Sequence, residues 1–182
     1  ELQPGESRKT DYFFAFSEHS LQEAEKVLGE LRDKKEDFLR EKKEVYGRIA
    51  QTARLRWPGQ PVFEEMYCWT KYINDWIIRK VDGIGIGAVA GYAEFPWWFG
   101  NDSNYIVPAL LMQGEYEICK ATLRLIRDKS LETNGNGRVV HEISTNGVVF
   151  YEGMTTETPQ FADTVWMIYQ WSGDRLFLEE MY

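Results

Sequence analysis

Asp102, Glu142, Glu157 and His141 stand where side chains could grip a polar ligand or move its protons. Asp102 closes the run Phe95-Pro96-Trp97-Trp98-Phe99-Gly100-Asn101-Asp102. Flat aromatic faces stack on the apolar faces of sugar rings, and a carboxylate accepts paired hydrogen bonds from vicinal hydroxyls. The run therefore has the chemistry of a saccharide subsite. Asp102 also stands at an expected helix start, where the dipole favours a negative charge and a side-chain oxygen can cap an N–H. Sugar ligand and plain cap both remain open at this point. His141 and Glu142 are neighbours on an expected strand, so at most one of them faces a given cleft. The alternative places His141 hydrogen-bonded in the core and Glu142 on the surface. Glu157 stands just before a helix expected from Pro159, and capping is the conservative reading there too.

Other chemistries find less support. Gly83-Ile84-Gly85-Ile86-Gly87 looks like a phosphate loop, but a dinucleotide site needs a strand before it and a helix after it. Here a helix is expected before it and a Pro-Trp-Trp loop after it, so the glycines read as letting a loop approach a cleft closely. Cys68 and Cys119 form no CxxC and no Cys/His cluster, and the two histidines, His19 and His141, are too few for a His-based metal site. Both cysteines read as small buried residues on helices. No cofactor or metal is expected, and no Ser/His/Asp or Cys/His nucleophile set is identifiable. Lys plus Arg is 21 against Asp plus Glu at 29, a net charge of -8. That balance argues against sequence-independent nucleic-acid binding and suits a neutral or cationic ligand. No run reaches the length of a membrane span, and the opening ELQPGESRKT lacks a basic-then-apolar leader pattern, so the cytoplasm is the expected compartment.

The elements that must position these residues follow from periodicity and punctuation. Residues 11–16, DYFFAF, read as a short aromatic strand that needs a partner. Ser20 with Glu23 forms a capping-box pattern, opening a charged helix or helix pair to about Ala50. Pro58-Gly59 breaks it, and Pro61 starts a helix that is apolar over much of its circumference, hence expected to be largely buried. Residues 81–102 read as a long Gly-rich, aromatic loop. A helical hairpin follows, from Asp102 or Ser103 to Met112 and from Glu115 to about Lys129. Asn146-Gly147 marks a β-hairpin over Val139–Phe150. Two further helices run from Gln160 to Ser172 and from Asp174 onward. The expected fold class is mainly α, with six helices, a short N-terminal strand and a small β-hairpin.

In this order, the motifs W-F-G-x-D-S, G-R-V-V-H-E-I with N-G, E-T-P-x-F and S-G-D-x-x-F-L resemble those of the bacterial glycogen-debranching amylo-α-1,6-glucosidases. Those belong with the glucoamylase-like six-hairpin glycosidases, and the resemblance covers nearly the whole chain. It implies about half of an (α/α)6 toroid over residues 58–182, a linker helix region over 20–57, and the end of an N-terminal β-sandwich over 1–19. It implies that Asp102 grips the hydroxyls of the terminal glucose and that Trp97, Trp98 and Phe99 wall that subsite. His141 and Glu142 would line the cleft from the hairpin, with Glu157 near it. Asn101 stands where the family commonly has Arg, which removes a bidentate donor and changes how the sugar is read.

The implied activity is inverting hydrolysis of α-glucans, with α-glucan as partner, no nucleic acid and no membrane. The family's acid and base lie later in its order, which leaves Glu142 and Glu157 as the catalytic candidates here. A non-catalytic helical carbohydrate-binding or structural module is the alternative. As a partial toroid the chain would expose apolar helix faces, promoting self-association or pairing with the remaining half. By itself it would then release no glucose.

Overall fold

A computed structural model describes residues 2–182. The chain is mainly helical, with two small antiparallel sheets, and divides after Arg48 into two compact units. In the first unit α1 spans Leu21–Asp33 and α2 begins at Lys35, running to Gln51 across the division. Ser20 caps α1 by accepting the Glu23 N–H at 3.1 Å, as expected. The Glu23 carboxylate does not close the reciprocal half of the box. It accepts the Ser17 hydroxyl, and Ser17 Oγ in turn accepts the His19 and Ser20 N–H groups. Residues 11–16 form no strand: the segment has no ladder partner, and Tyr12, Phe14 and Phe16 are exposed.

The second unit carries the core. Its elements are α3 (Pro61–Trp76), β1 (Ile78–Val81), β2 (Gly85–Ala88), β3 (Trp98–Phe99), α4 (Ser103–Met112), α5 (Tyr116–Asn134), β4 (Glu142–Ile143), β5 (Val149–Tyr151), α6 (Glu157–Ser172) and α7 (Arg175–Met181). Cys119, Leu123 and Ile126 recur on one face of α5 at helical spacing and pack with Val107, Leu110 and Leu111 of α4. Phe161, Val165 and Ile168 of α6 and Phe177 of α7 close the same cluster. The helical hairpin is as expected, although α5 continues to Asn134. No helix among the described residues is long and apolar enough to cross a membrane.

Two expectations are corrected here. Residues 81–102 are not one long loop: β1 and β2 form an antiparallel hairpin pairing Ile78 with Ala88, and β3 joins a second sheet of order β3-β4-β5. The glycines serve packing against a helix rather than a cleft. A Cβ on Gly87 would press within 3.1 Å of Thr122 in α5 and of Trp98 Nε1, and one on Gly85 within 2.9 Å of Leu125. Thr122 Oγ1 also accepts the Ala88 N–H at 2.9 Å, fixing the hairpin to α5.

The second correction concerns α3, which is not largely buried. Phe63, Met66, Trp69, Ile73 and Trp76 are all exposed, and its one buried residue is Lys71. The Lys71 ammonium donates to the carbonyls of Ile49, Ala50 and Thr52 at 2.7, 3.2 and 2.7 Å. Those carbonyls belong to the end of α2 and the turn after it, where the helix runs out of its own donors. Burial pushes the Lys71 pKa down, and the three carbonyls supply its hydrogen bonds. Cys68, one turn before Lys71, is half-buried rather than enclosed, whereas burial of Cys119 pushes its thiol up to about 12.

Candidate functional site

The sheet β3-β4-β5 brings the two aromatic and acidic segments to one place. Trp98 pairs with Ile143 and Phe99 with Glu142; Glu142 in turn pairs with Tyr151, and Ile143 with Val149. Pairing β3 with β4 joins the 81–102 region to the hairpin, as a shared cleft requires. Alternation then splits the Trp-Trp-Phe run. Trp98 turns into the core with no exposed surface, beside Ile143. It is therefore no wall of an open subsite, which corrects the expectation for that residue.

The ring array is built from others. Trp97 stacks on Phe150 with centroids 5.2 Å apart and planes 9° from parallel, and lies nearly parallel to Phe99 at 6.5 Å. Phe95 meets Phe99 edge-on at 6.1 Å. Phe99 itself is buried beneath this array, whereas Phe150 is 58% exposed. Phe150 and Tyr151 are both exposed because the pairing slips between Glu142 and Ile143, an irregularity that breaks strict in-out alternation. Neither residue stands out in the sequence, because a bulge within so short a hairpin has no periodic signature.

Asp102 follows this array by three residues and is half-buried. It occupies the N-cap position of α4, yet its side chain makes no capping hydrogen bond. The segment leading to it is pinned from two sides. Gly100 N–H donates to the His141 carbonyl at 2.8 Å, and Asn104 Nδ2 donates to the Gly100 carbonyl at 2.7 Å. Asn104 Oδ1 also accepts the Thr164 hydroxyl at 2.8 Å, which ties the start of α4 to α6. Asn101 is half-buried, and its carbonyl accepts the Asn104 N–H at 3.0 Å. Glu142 is half-buried on β4, opposite Phe99.

Glu157 has a different environment. It opens α6 with no exposed surface. Its Oε1 lies 2.8 Å from His141 Nδ1, and its Oε2 accepts the Met154 N–H at 2.9 Å. Burial alone would raise its pKa, but the bonds from His141 and from backbone N–H groups outweigh it and hold the carboxyl below the usual range. Two glycines make room for this arrangement. A Cβ on Gly100 would collide with the Val140 carbonyl and touch Glu157, and one on Gly153 (φ +116°) would collide with the Val139 carbonyl. The His141 ring stands edge-on to Phe99 at 5.6 Å and to Tyr151 at 5.7 Å.

The structure thus gathers Trp97, Phe99, His141 and Glu142 around one sheet, with Asn101 and Asp102 following β3. It encloses Glu157 beneath and turns Trp98 away. The arrangement can stack a flat apolar face, accept hydroxyl hydrogens at carboxylates, and exchange a hydrogen bond at His141. Comparison with known protein families, curated proteins and solved structures finds no match to this chain.

Proposed function

We propose that this chain is part of a glycoside hydrolase acting on α-glucans of the glycogen or starch type, and that it supplies the face that grips the sugar. The observation carrying this reading is the Phe150–Trp97 stack, whose Phe150 ring is exposed, on the sheet whose strand β3 leads within three residues to Asp102, a carboxylate that makes no capping bond to its own helix. The exposed Phe150 ring, backed by Trp97, takes the apolar face of a glucose ring, and Asp102 accepts hydrogens from vicinal hydroxyls. His141, just before β4, meets the sugar from the neighbouring strand. The finer fold reading belongs with this: the helical second unit contributes about half of an (α/α)6 toroid, and hydrolysis by the whole protein inverts the anomeric carbon.

Inverting hydrolysis needs a general acid that holds its proton near neutral pH and a base set across the sugar from it. Glu157 does not fit the acid role, because its carboxyl is enclosed and held ionised. Its enclosure removes one of the two catalytic candidates, and the second reading is a non-catalytic carbohydrate-binding module. Incubating the 182-residue chain with maltooligosaccharides and branched limit dextrin tests both. Binding seen as a change in Trp fluorescence without glucose release is the expected result. Steady glucose release abolished by Glu142→Gln would place catalysis within this chain.

A further inference from the structure

His141 and Glu157 form a buried carboxylate–imidazole pair whose geometry fixes more than packing. The carboxylate is fully enclosed, and each of its oxygens has a partner: Oε1 the His141 Nδ1, Oε2 the Met154 N–H. An ionised carboxylate can only accept, so the shared hydrogen sits on Nδ1. The tautomer of a histidine is set by the bond its other nitrogen makes. With Nδ1–H committed inward, the neutral ring carries its lone pair on Nε2. The ring lies near-perpendicular to both Phe99 and Tyr151 and keeps 24% of its side-chain surface exposed.

We infer that Glu157 is a positioning residue which locks His141 as the Nδ1–H tautomer and presents Nε2, at the rim of the aromatic array, as a hydrogen-bond acceptor for a sugar hydroxyl. The hydroxyl partner rests on the glucan reading above; the tautomer lock does not. Glu157 thereby acquires a function without touching the ligand. Its burial and ionisation, which unfit it as a general acid, are what the locking role requires. Gly100 lets the chain lie against both the Val140 carbonyl and the Glu157 side chain, and Gly153, packed on the Val139 carbonyl, precedes the Met154 N–H that binds Oε2.

Nitrogen-15 NMR of the histidine side chains tests this directly, because only His19 and His141 contribute signals. With the pH raised until the imidazole signals stop moving, His141 is expected to show a protonated Nδ1 and an unprotonated Nε2. A proton on Nε2 would overturn the inference whatever the chain binds. Adding maltoheptaose should then move the His141 Nε2 resonance and leave His19 unmoved. Glu157→Gln should bind it about tenfold more weakly, equivalent to one lost directed hydrogen bond, and should show a mixed tautomer. Sugar binding reported by Trp fluorescence with an unmoved Nε2 resonance would overturn the inference while the glucan reading survived. Absence of any binding, with the tautomer as expected, would instead overturn the glucan reading and the hydroxyl partner with it. The wild-type tautomer is read without any variant, so a Glu157→Gln chain that fails to fold leaves the test intact.

Discussion

Asp102 and Glu157 both stand at the start of a helix, beside a strand of the same small sheet, and end in opposite states. Asp102 is half-buried at the N-cap of α4, and its side chain makes no capping bond. Glu157 is sealed at the start of α6, with both oxygens engaged by His141 and Met154. The same residue class at the same kind of position thus yields an open ligand group in one case and a buried scaffold in the other. Helix position does not decide between them. The partners differ: Glu157 has His141 and the Met154 N–H, on a chain that Gly153 packs closely against the Val139 carbonyl.

The sharpest way to break that contrast is to remove the close approach. Gly153→Ala places a Cβ against the Val139 carbonyl at a φ of +116°, which L side chains rarely adopt. Combining backbone strain with overpacking, we expect a loss of roughly 4 kcal/mol, read by chemical denaturation. Glu157→Ala comes next. It leaves the His141 Nδ1–H and the Met154 N–H enclosed without their partner, at a cost of about 3 kcal/mol. Asp102→Ala in the same denaturation series should change stability by less than about 0.5 kcal/mol, because no capping bond is lost. Equal losses at the two positions would dissolve the contrast.

The acid limb sharpens it further. The folded Glu157 carboxyl releases its proton more readily than an ordinary glutamate, so the native state binds fewer protons than the unfolded chain. Its contribution to stability is full above the ordinary glutamate range, about pH 4.5, and fades as pH falls through the depressed folded value. Glu180 behaves alike: its hydrogen bond with Arg124 lowers it most, against partial burial and with help from Arg127, to about 2. Stability should therefore decline as pH drops below about 4.5. Glu157→Gln and Glu180→Gln should each flatten the decline when unfolding midpoints are followed against pH.

Much of this organisation is legible in the residues, and the misses have definite causes. Helix starts at Ser20 and Pro61, and helix stops near Gly114 and Gly173, follow local backbone chemistry that acts within a turn or two. The Asn146-Gly147 hairpin is of the same kind. By contrast, β1 and β2 are hidden: β2 is half glycine, and β1, Ile-Arg-Lys-Val, is too short and has two adjacent charged residues in place of hydrophobic alternation. Apolar residues around α3 imply burial only if other elements cover them, and Trp69 and Trp76 stay about half exposed. Within the site, the aromatic run was visible as a run, but the division of Trp97 and Phe99 from Trp98 needs the register of a two-residue strand. Phe150 emerges only through an irregular pairing. The role of Glu157 depends on its distance from His141, which no spacing rule carries.

Smaller effects belong to the ring array. Phe150→Ala removes the more exposed partner of the Trp97 stack and should weaken maltooligosaccharide binding by about 1 kcal/mol while leaving the core intact. Trp98→Phe should weaken folding rather than binding, since its ring lies in the core.

The most direct measurement is a Trp fluorescence titration of the chain with maltoheptaose, run side by side on wild type, Asp102→Ala and Phe150→Ala. Saturable binding by wild type, lost in Asp102→Ala and weakened in Phe150→Ala with all three proteins equally folded, is the predicted result. Identical isotherms for the three, or no response from wild type, would contradict a glucan-gripping face at this sheet.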